Sequence, residues 1–258
     1  MTLLICIAFH YVENRLQYLK RVLSRFLNTY MTPFHIIIDT NTIETEGILQ
    51  RLFPVHINSN TIEIVVHNIL PHPYCLTWAH RFHIKENLEK YETFMYLEDD
   101  MDLPYENFIN YLDNFNILWP HFVPSFIRVE SDSNGDLFSS DHLLIHTLQS
   151  SQLAQAGSKR FMRLHMDYSA LWIMPRDALI PTIKDWFARW ETHGHIRETA
   201  ASYILWELKV PGLYEVNSEG EISEKCYVYH LPNNYVNAEG TPLGKMSLKR
   251  LVKIKFDK

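Results

Sequence analysis

Phe94-Met95-Tyr96-Leu97-Glu98-Asp99-Asp100-Met101-Asp102-Leu103-Pro104 is the stretch on which the reading of this 258-residue chain turns. Four apolar or aromatic residues run into Glu-Asp-Asp, a further Asp stands at 102, and Pro104 prevents a strand from continuing. The pattern predicts a buried strand that ends in acid. Carboxylates are rarely buried unless they are paired or hold a metal, so acid at the mouth of a buried strand asks for a cation. A solvated acidic turn is the plain alternative, and the hydrophobic lead-in weighs against it.

Upstream, the chain alternates strand and helix. Leu3 to Phe9 is a continuous apolar run, as a strand covered on both faces requires. Glu13 to Tyr30 follows with Leu16, Leu19, Val22, Leu23, Phe26 and Leu27 at helical spacing. Phe34 to Ile38 is a second apolar strand ending in Asp39-Thr40-Asn41, Glu44 to Leu52 a second helix, and Ile62 to Val66 a third strand. After the rigid Pro71-His72-Pro73, Leu76 to Tyr91 reads as a helix with Trp78, Phe82, Ile84 and Leu88 toward the sheet and His80, Arg81 and Lys85 at polar positions. The order β-α-β-α-β-α-β implies an α/β fold with a mostly parallel sheet. Ligands of such sheets bind outside the carboxyl ends of the strands, where Tyr11, Asp39 and Asp100 all fall.

Downstream, Tyr105 to Trp119 reads as a helix, with Asp102 either supporting the acid cluster or, the favoured reading, as the helix N-cap. Pro124 to Val129 reads as a strand ending in Glu130, Ser131 to Asp141 as loop, and Ser150 to Lys159 as a polar, mobile stretch. Tyr168 to Met174 is a further strand, Ala178 to about Trp190 and Arg197 to Leu208 are helices, and Tyr227 to His230 is a late strand. No internal repeat or linker interrupts the chain, so a single domain is expected, with a ligand-binding half over about 1–130 and a second half over about 131–258.

Composition narrows the function. The net charge is −6, with no basic block before the C-terminus, so generic binding to nucleic-acid phosphates is not supported. Cys6, Cys75 and Cys226 form neither a zinc spacing nor an even disulfide framework, which suits a reducing, cytoplasmic location. Thr2 to Phe9 is too short to span a membrane and is read as a strand. The tail from Gly244 alternates Lys245, Lys249, Arg250, Lys253, Lys255 and Lys258 with apolar residues, a pattern open to clamping phosphates, to peripheral contact with anionic lipid or to simple solvation.

The acids at the end of a fourth strand resemble the DXD signature of GT-A fold glycosyltransferases, in the Glu-Asp-Asp form of N-acetylglucosaminyltransferase I-like enzymes. The matching parts are Tyr96-Leu97, Glu98-Asp99-Asp100, Leu103-Pro104 and the aromatic-rich Phe108 to Leu112. Element order extends the likeness over roughly the first 130 residues. The resemblance implies a nucleotide-diphosphate sugar donor, UDP- or GDP-linked, and a glycan or other hydroxyl acceptor. It implies Mn²⁺ or Mg²⁺ on Asp100, with Glu98 and Asp99 toward ribose or sugar, Tyr11 and Asp39 toward the nucleotide, and Arg81, with His80, toward the diphosphate. It implies further that His230 completes the metal site. For inverting transfer a carboxylate must take the acceptor's proton, for which Glu198, early in a helix, is the candidate and Glu130 the reserve. His165 and Asp167 are placed on the acceptor side. Two alternatives stand: a nucleotidyltransferase, against which Ala8 to Asn14 lacks the usual glycine, and a non-catalytic nucleotide-sugar or glycan-binding module.

Overall fold

The computed structural model describes residues 1–52, 56–57, 60–141, 153–164, 168–185 and 187–248. His165, Asp167 and the basic tail beyond 248 lie outside the described residues. In chain order the main elements are β1 (Leu3–Phe9), α1 (Leu16–Thr29), β2 (Phe34–Thr40), α2 (Ile43–Leu52), β3 (His56–Ile57), β4 (Asn60–Val66), α3 (Ala79–Glu86) and β5 (Thr93–Glu98). They continue with β6 (Met101–Asp102), α4 (Tyr105–Leu118), β7 (Val123–Pro124), β8 (Ile127–Ser131), β9 (Leu137–Ser139), β10 (Leu153–Ala156), β11 (Lys159–Met162) and β12 (Leu171–Pro175). Last come α5 (Arg176–Leu179), α6 (Ile196–Ala201), β13 (Gly212–Val216), β14 (Tyr227–His230), α7 (Asn234–Asn237) and β15 (Met246–Ser247). The chain divides into two compact units, Met1–Asp100 with Ala170–Tyr203, and Met101–Ser169 with Ile204–Lys258. The fold is mixed α/β.

The first unit is built on a six-stranded sheet in the order β12-β5-β1-β2-β4-β3. The pairs β5·β1, β1·β2 and β2·β4 are parallel, and β12 runs antiparallel to β5. β1 is buried along its whole length, as its unbroken apolar run requires. α1 buries Leu16, Leu19, Val22, Leu23 and Phe26, five of the six residues spaced for that face. From β1 the chain moves outward through β2 to β4, then returns to place β5 on the other side of β1. The strand order therefore reverses between β1 and β5, which is where open α/β sheets bind ligands.

α3 covers one face of this sheet. His80 stacks on Tyr96 with ring centroids 4.1 Å apart. His83 reaches Asp39 from the same helix. Tyr96 and Asp39 share a face by register, since Cys6 pairs with Tyr96 and Ala8 with Asp39 and Glu98.

Several helices are shorter than their periodicity predicts. The stretch before α3 is a 3-10 segment, Pro73–Trp78, because Pro73 sets its first turn and His72 caps it through Tyr74 N. α5 gives way to a 3-10 turn over Ile180–Thr182, where Pro181 removes a backbone donor. The expected helix over Arg197 to Leu208 is α6 followed by a π-helical turn at Tyr203–Glu207. Asp102 is not the cap of α4: Pro104 holds that position without a side-chain bond, and Asp102 pairs with Tyr229 in β6.

The second unit holds two small sheets, β10-β11-β13-β7 and β15-β9-β8-β14-β6. Ile127, Val129, Met162, Leu164, Tyr214, Val216, Ile222 and Tyr227 form the core that joins them. The stretch expected to be mobile contains the β10–β11 hairpin in its described part, closed at Gly157 with a positive φ. Asn107 on α4 donates from Nδ2 to the carbonyls of Glu224 and Tyr227, tying that helix to β14.

Candidate functional site

β5 ends in acid, as its sequence predicts. Asp99 and Asp100 are each only 3% exposed, and Glu98 is half-buried. What meets them is Arg15, the last residue of a 3-10 turn that follows β1. Its Nε donates to Asp99 Oδ2 at 3.1 Å, and its Nη2 donates to Asp99 Oδ1 at 2.7 Å and to Asp100 Oδ2 at 2.8 Å. The fork geometry of guanidinium makes this possible, and a lysine could not reproduce it. One cation thus bridges two adjacent carboxylates at the point where the strand order reverses.

Burial and the neighbouring Asp100 carboxylate push Asp99 up to about 8, although Arg15 pulls the other way. Arg197 also approaches the cluster, with its Nε 3.9 Å from Glu98 Oε1. The two buried acids form a donor set of hard oxygens. That set suits Mg²⁺ or Mn²⁺, which take one or two carboxylates and leave their other positions to phosphates and water.

Tyr11 lies at the end of β1, half-buried, with its backbone N–H donating to Asn41 Oδ1 at 2.7 Å. Glu198 is half-buried in the first turn of α6, one residue after Arg197. Both belong to the same unit as the acids. His80 and Arg81 do not lie on a polar helix face. His80 is 1% exposed, its Nδ1 2.7 Å from the Thr77 carbonyl, and burial with the charge of Arg81 holds it neutral, well below the usual histidine range. The Arg81 guanidinium is fully buried 3.7 Å over the Trp78 ring, with Phe187 and Tyr203 also around it. This aromatic cage explains why a charged residue is tolerated there.

Asp39 is 1% exposed at the end of β2 and serves two histidines. His67 Nε2 lies 2.7 Å and His83 Nε2 2.8 Å from the same oxygen, Asp39 Oδ1. Burial opposes protonation of His83, yet the hydrogen bond and charge of Asp39 outweigh it, so His83 titrates above its ordinary value. The sequence pattern does not single out either histidine.

Glu130 and His230 both belong to the second unit, where they bind each other. Glu130 Oε1 meets His230 Nδ1 in a short contact, and Glu130 Oε2 accepts from Val236 N at 2.7 Å. The two are 1% and 6% exposed. Beside them on β8, Arg128 forks onto Asp141, with Nε 2.9 Å from Oδ2, and its guanidinium lies over the Tyr168 and Tyr235 rings.

All three cysteines are buried and unpaired. No helix among the described residues is long and apolar enough to cross a membrane. Compared with known proteins, the chain matches no protein-family model and no curated sequence.

Proposed function

We propose that the protein is a metal-dependent glycosyltransferase that moves a sugar from a nucleotide-diphosphate donor to a hydroxyl acceptor, on a GT-A-like sheet. The observation that carries this reading is the buried Asp99–Asp100 pair, gripped by Arg15, at the strand-order reversal between β1 and β5. That is the crevice where α/β sheets receive nucleotides, and the two carboxylates are buried side by side there.

In this reading Asp100 holds the divalent ion, with Asp99 beside it, and the ion when bound offsets charge on the departing nucleoside diphosphate. Arg15 keeps the two carboxylates together and orients them toward the crevice. Glu98 faces ribose or sugar, held near Arg197. Tyr11 supplies an aromatic surface at the end of β1 for the base. Glu198 removes the acceptor's proton in an inverting displacement. Arg81, enclosed by rings, is assigned to packing, and Asp39, engaged by two histidines, is taken up below.

One observation favours a different reading. Arg15 already sits on both acids, which suits a metal-free module that binds a nucleotide sugar without turning it over. Thermal unfolding tests the metal site: Mn²⁺ with UDP or GDP at about one hundred times its Kd adds about 2.7 kcal/mol, or about 5–10 °C for a chain of this size. The expected result is that shift in the native protein and a much smaller one in Asp100→Ala. Equal shifts in both overturn the assignment.

A further inference from the structure

We infer that Asp39, His67 and His83 form a second cation site, separate from the acidic pair, that takes a divalent first-row transition metal such as Zn²⁺ or Co²⁺. The three residues come from different places: the end of β2, the residue after β4, and the middle of α3. Their ligand atoms all lie within 4.8 Å of one another. The backbone holds them there. His67 N donates to the Thr40 carbonyl at 2.8 Å, which fixes His67 alongside the end of β2, and α3 lies across β1 and β2 to deliver His83.

The donor chemistry separates this site from the first. Two imidazole nitrogens and one carboxylate oxygen favour Zn²⁺, Co²⁺ or Fe²⁺, whereas the all-oxygen acids of β5 favour Mg²⁺ or Mn²⁺. Both Nε2 atoms converge on one oxygen at 2.7 and 2.8 Å. Metal bonds of about 2.0–2.1 Å need donors only a few tenths of an ångström further apart, a shift that side-chain rotation provides. Asp39 sits at the buried end and the histidine side chains are 18% and 15% exposed, so the site opens on their side.

The surroundings are suitable. Trp190 stands edge-on to His67 at 5.9 Å and against Phe82 at 4.8 Å, an aromatic wall that limits water on that flank. Three protein ligands leave at least one position for water or another ligand, the arrangement of a metal site that binds something further. By register Asp39 and Glu98 flank Ala8, two strand spacings apart, about 10 Å. The two sites are therefore near neighbours on one sheet and chemically distinct.

Metal-free full-length protein titrated with Co²⁺ tests the site. The expected result is a single bound Co²⁺ with visible d–d absorption, displaced by Zn²⁺, weakened at least about tenfold in His67→Ala and in His83→Ala and retained in Asp100→Ala. NMR of the native protein with Co²⁺ gives a check that needs no variant: two paramagnetically shifted imidazole N–H signals are expected. Absence of binding, absence of those signals, survival of the absorption in both histidine variants, or its loss in Asp100→Ala overturns the assignment.

Discussion

Replacing Arg15 with Met keeps the aliphatic stem and removes the guanidinium that contacts both Asp99 and Asp100. Breaking a buried ion pair from one side costs about 3–5 kcal/mol. Arg15 is 32% exposed, so solvent screening lowers that to about 2–3 kcal/mol at neutral pH. A second limit sets the pH dependence. A carboxylate that loses its cation can take up a proton instead, at about 1.4 kcal/mol per pH unit above the unfolded value near 3.9. At pH 5 the loss is therefore capped at about 1.5 kcal/mol, and at pH 7 the cap of about 4 no longer limits it. Urea unfolding of the native protein and Arg15→Met at both pH values reads the difference directly. The double variant Arg15→Met/Asp100→Asn should recover most of the loss, since Asp99, near 8, is already largely protonated at both pH values and Asp100 is the carboxylate that loses its partner. A loss under about 1 kcal/mol at pH 7, or one equal at both pH values, refutes the view that Arg15 compensates buried charge.

Asp99→Asn alone has a signed consequence. Because the folded value near 8 lies above the unfolded one, the native protein loses stability as pH rises from about 4 through 8, and the variant should lack that slope in a melting-temperature profile. Arg81→Ala empties the cage of Trp78, Phe187 and Tyr203 and should cost about 3 kcal/mol by urea unfolding; a change below about 1 would mean that the cage contributes little. Asn107→Ala leaves the Glu224 and Tyr227 carbonyls without their shared donor, for an expected loss of about 2 kcal/mol in the same assay.

The parallel core was legible because its strands carry unbroken apolar runs. β1, β2, β5 and β14 fall where composition puts them, and β14 matches Tyr227 to His230 residue for residue. α1 shows in its spacing for the same reason. The short elements were not legible. β13 begins at a glycine, is only five residues long and carries Glu215 next to its end, so nothing marks it as a strand. The helices expected around α5 and α6 were over-read because a proline and a change of helical pitch cut the periodicity.

The site was half visible. Apolar residues leading into Glu98-Asp99-Asp100 announced buried acid, but its partner Arg15 lies 84 residues from Asp99 in sequence and just before the amphipathic helix. A cation in the turn after the first strand was the available signal. It gains meaning only once β1 is known to neighbour β5. His67 and His83 are hidden in the same way, 28 and 44 residues from Asp39, with no metal-ligand spacing between them. Non-local pairing across a sheet creates both clusters.

Donor turnover is the measurement closest to the central claim. Incubating the native protein and Asp100→Ala with a panel of UDP- and GDP-sugars, with Mn²⁺ and with chelator, should release nucleoside diphosphate from at least one donor only in the native protein with metal. Folded native protein that releases none from any donor, or release unaffected by chelator and by Asp100→Ala, would contradict a metal-dependent transferase centred on the acids of β5.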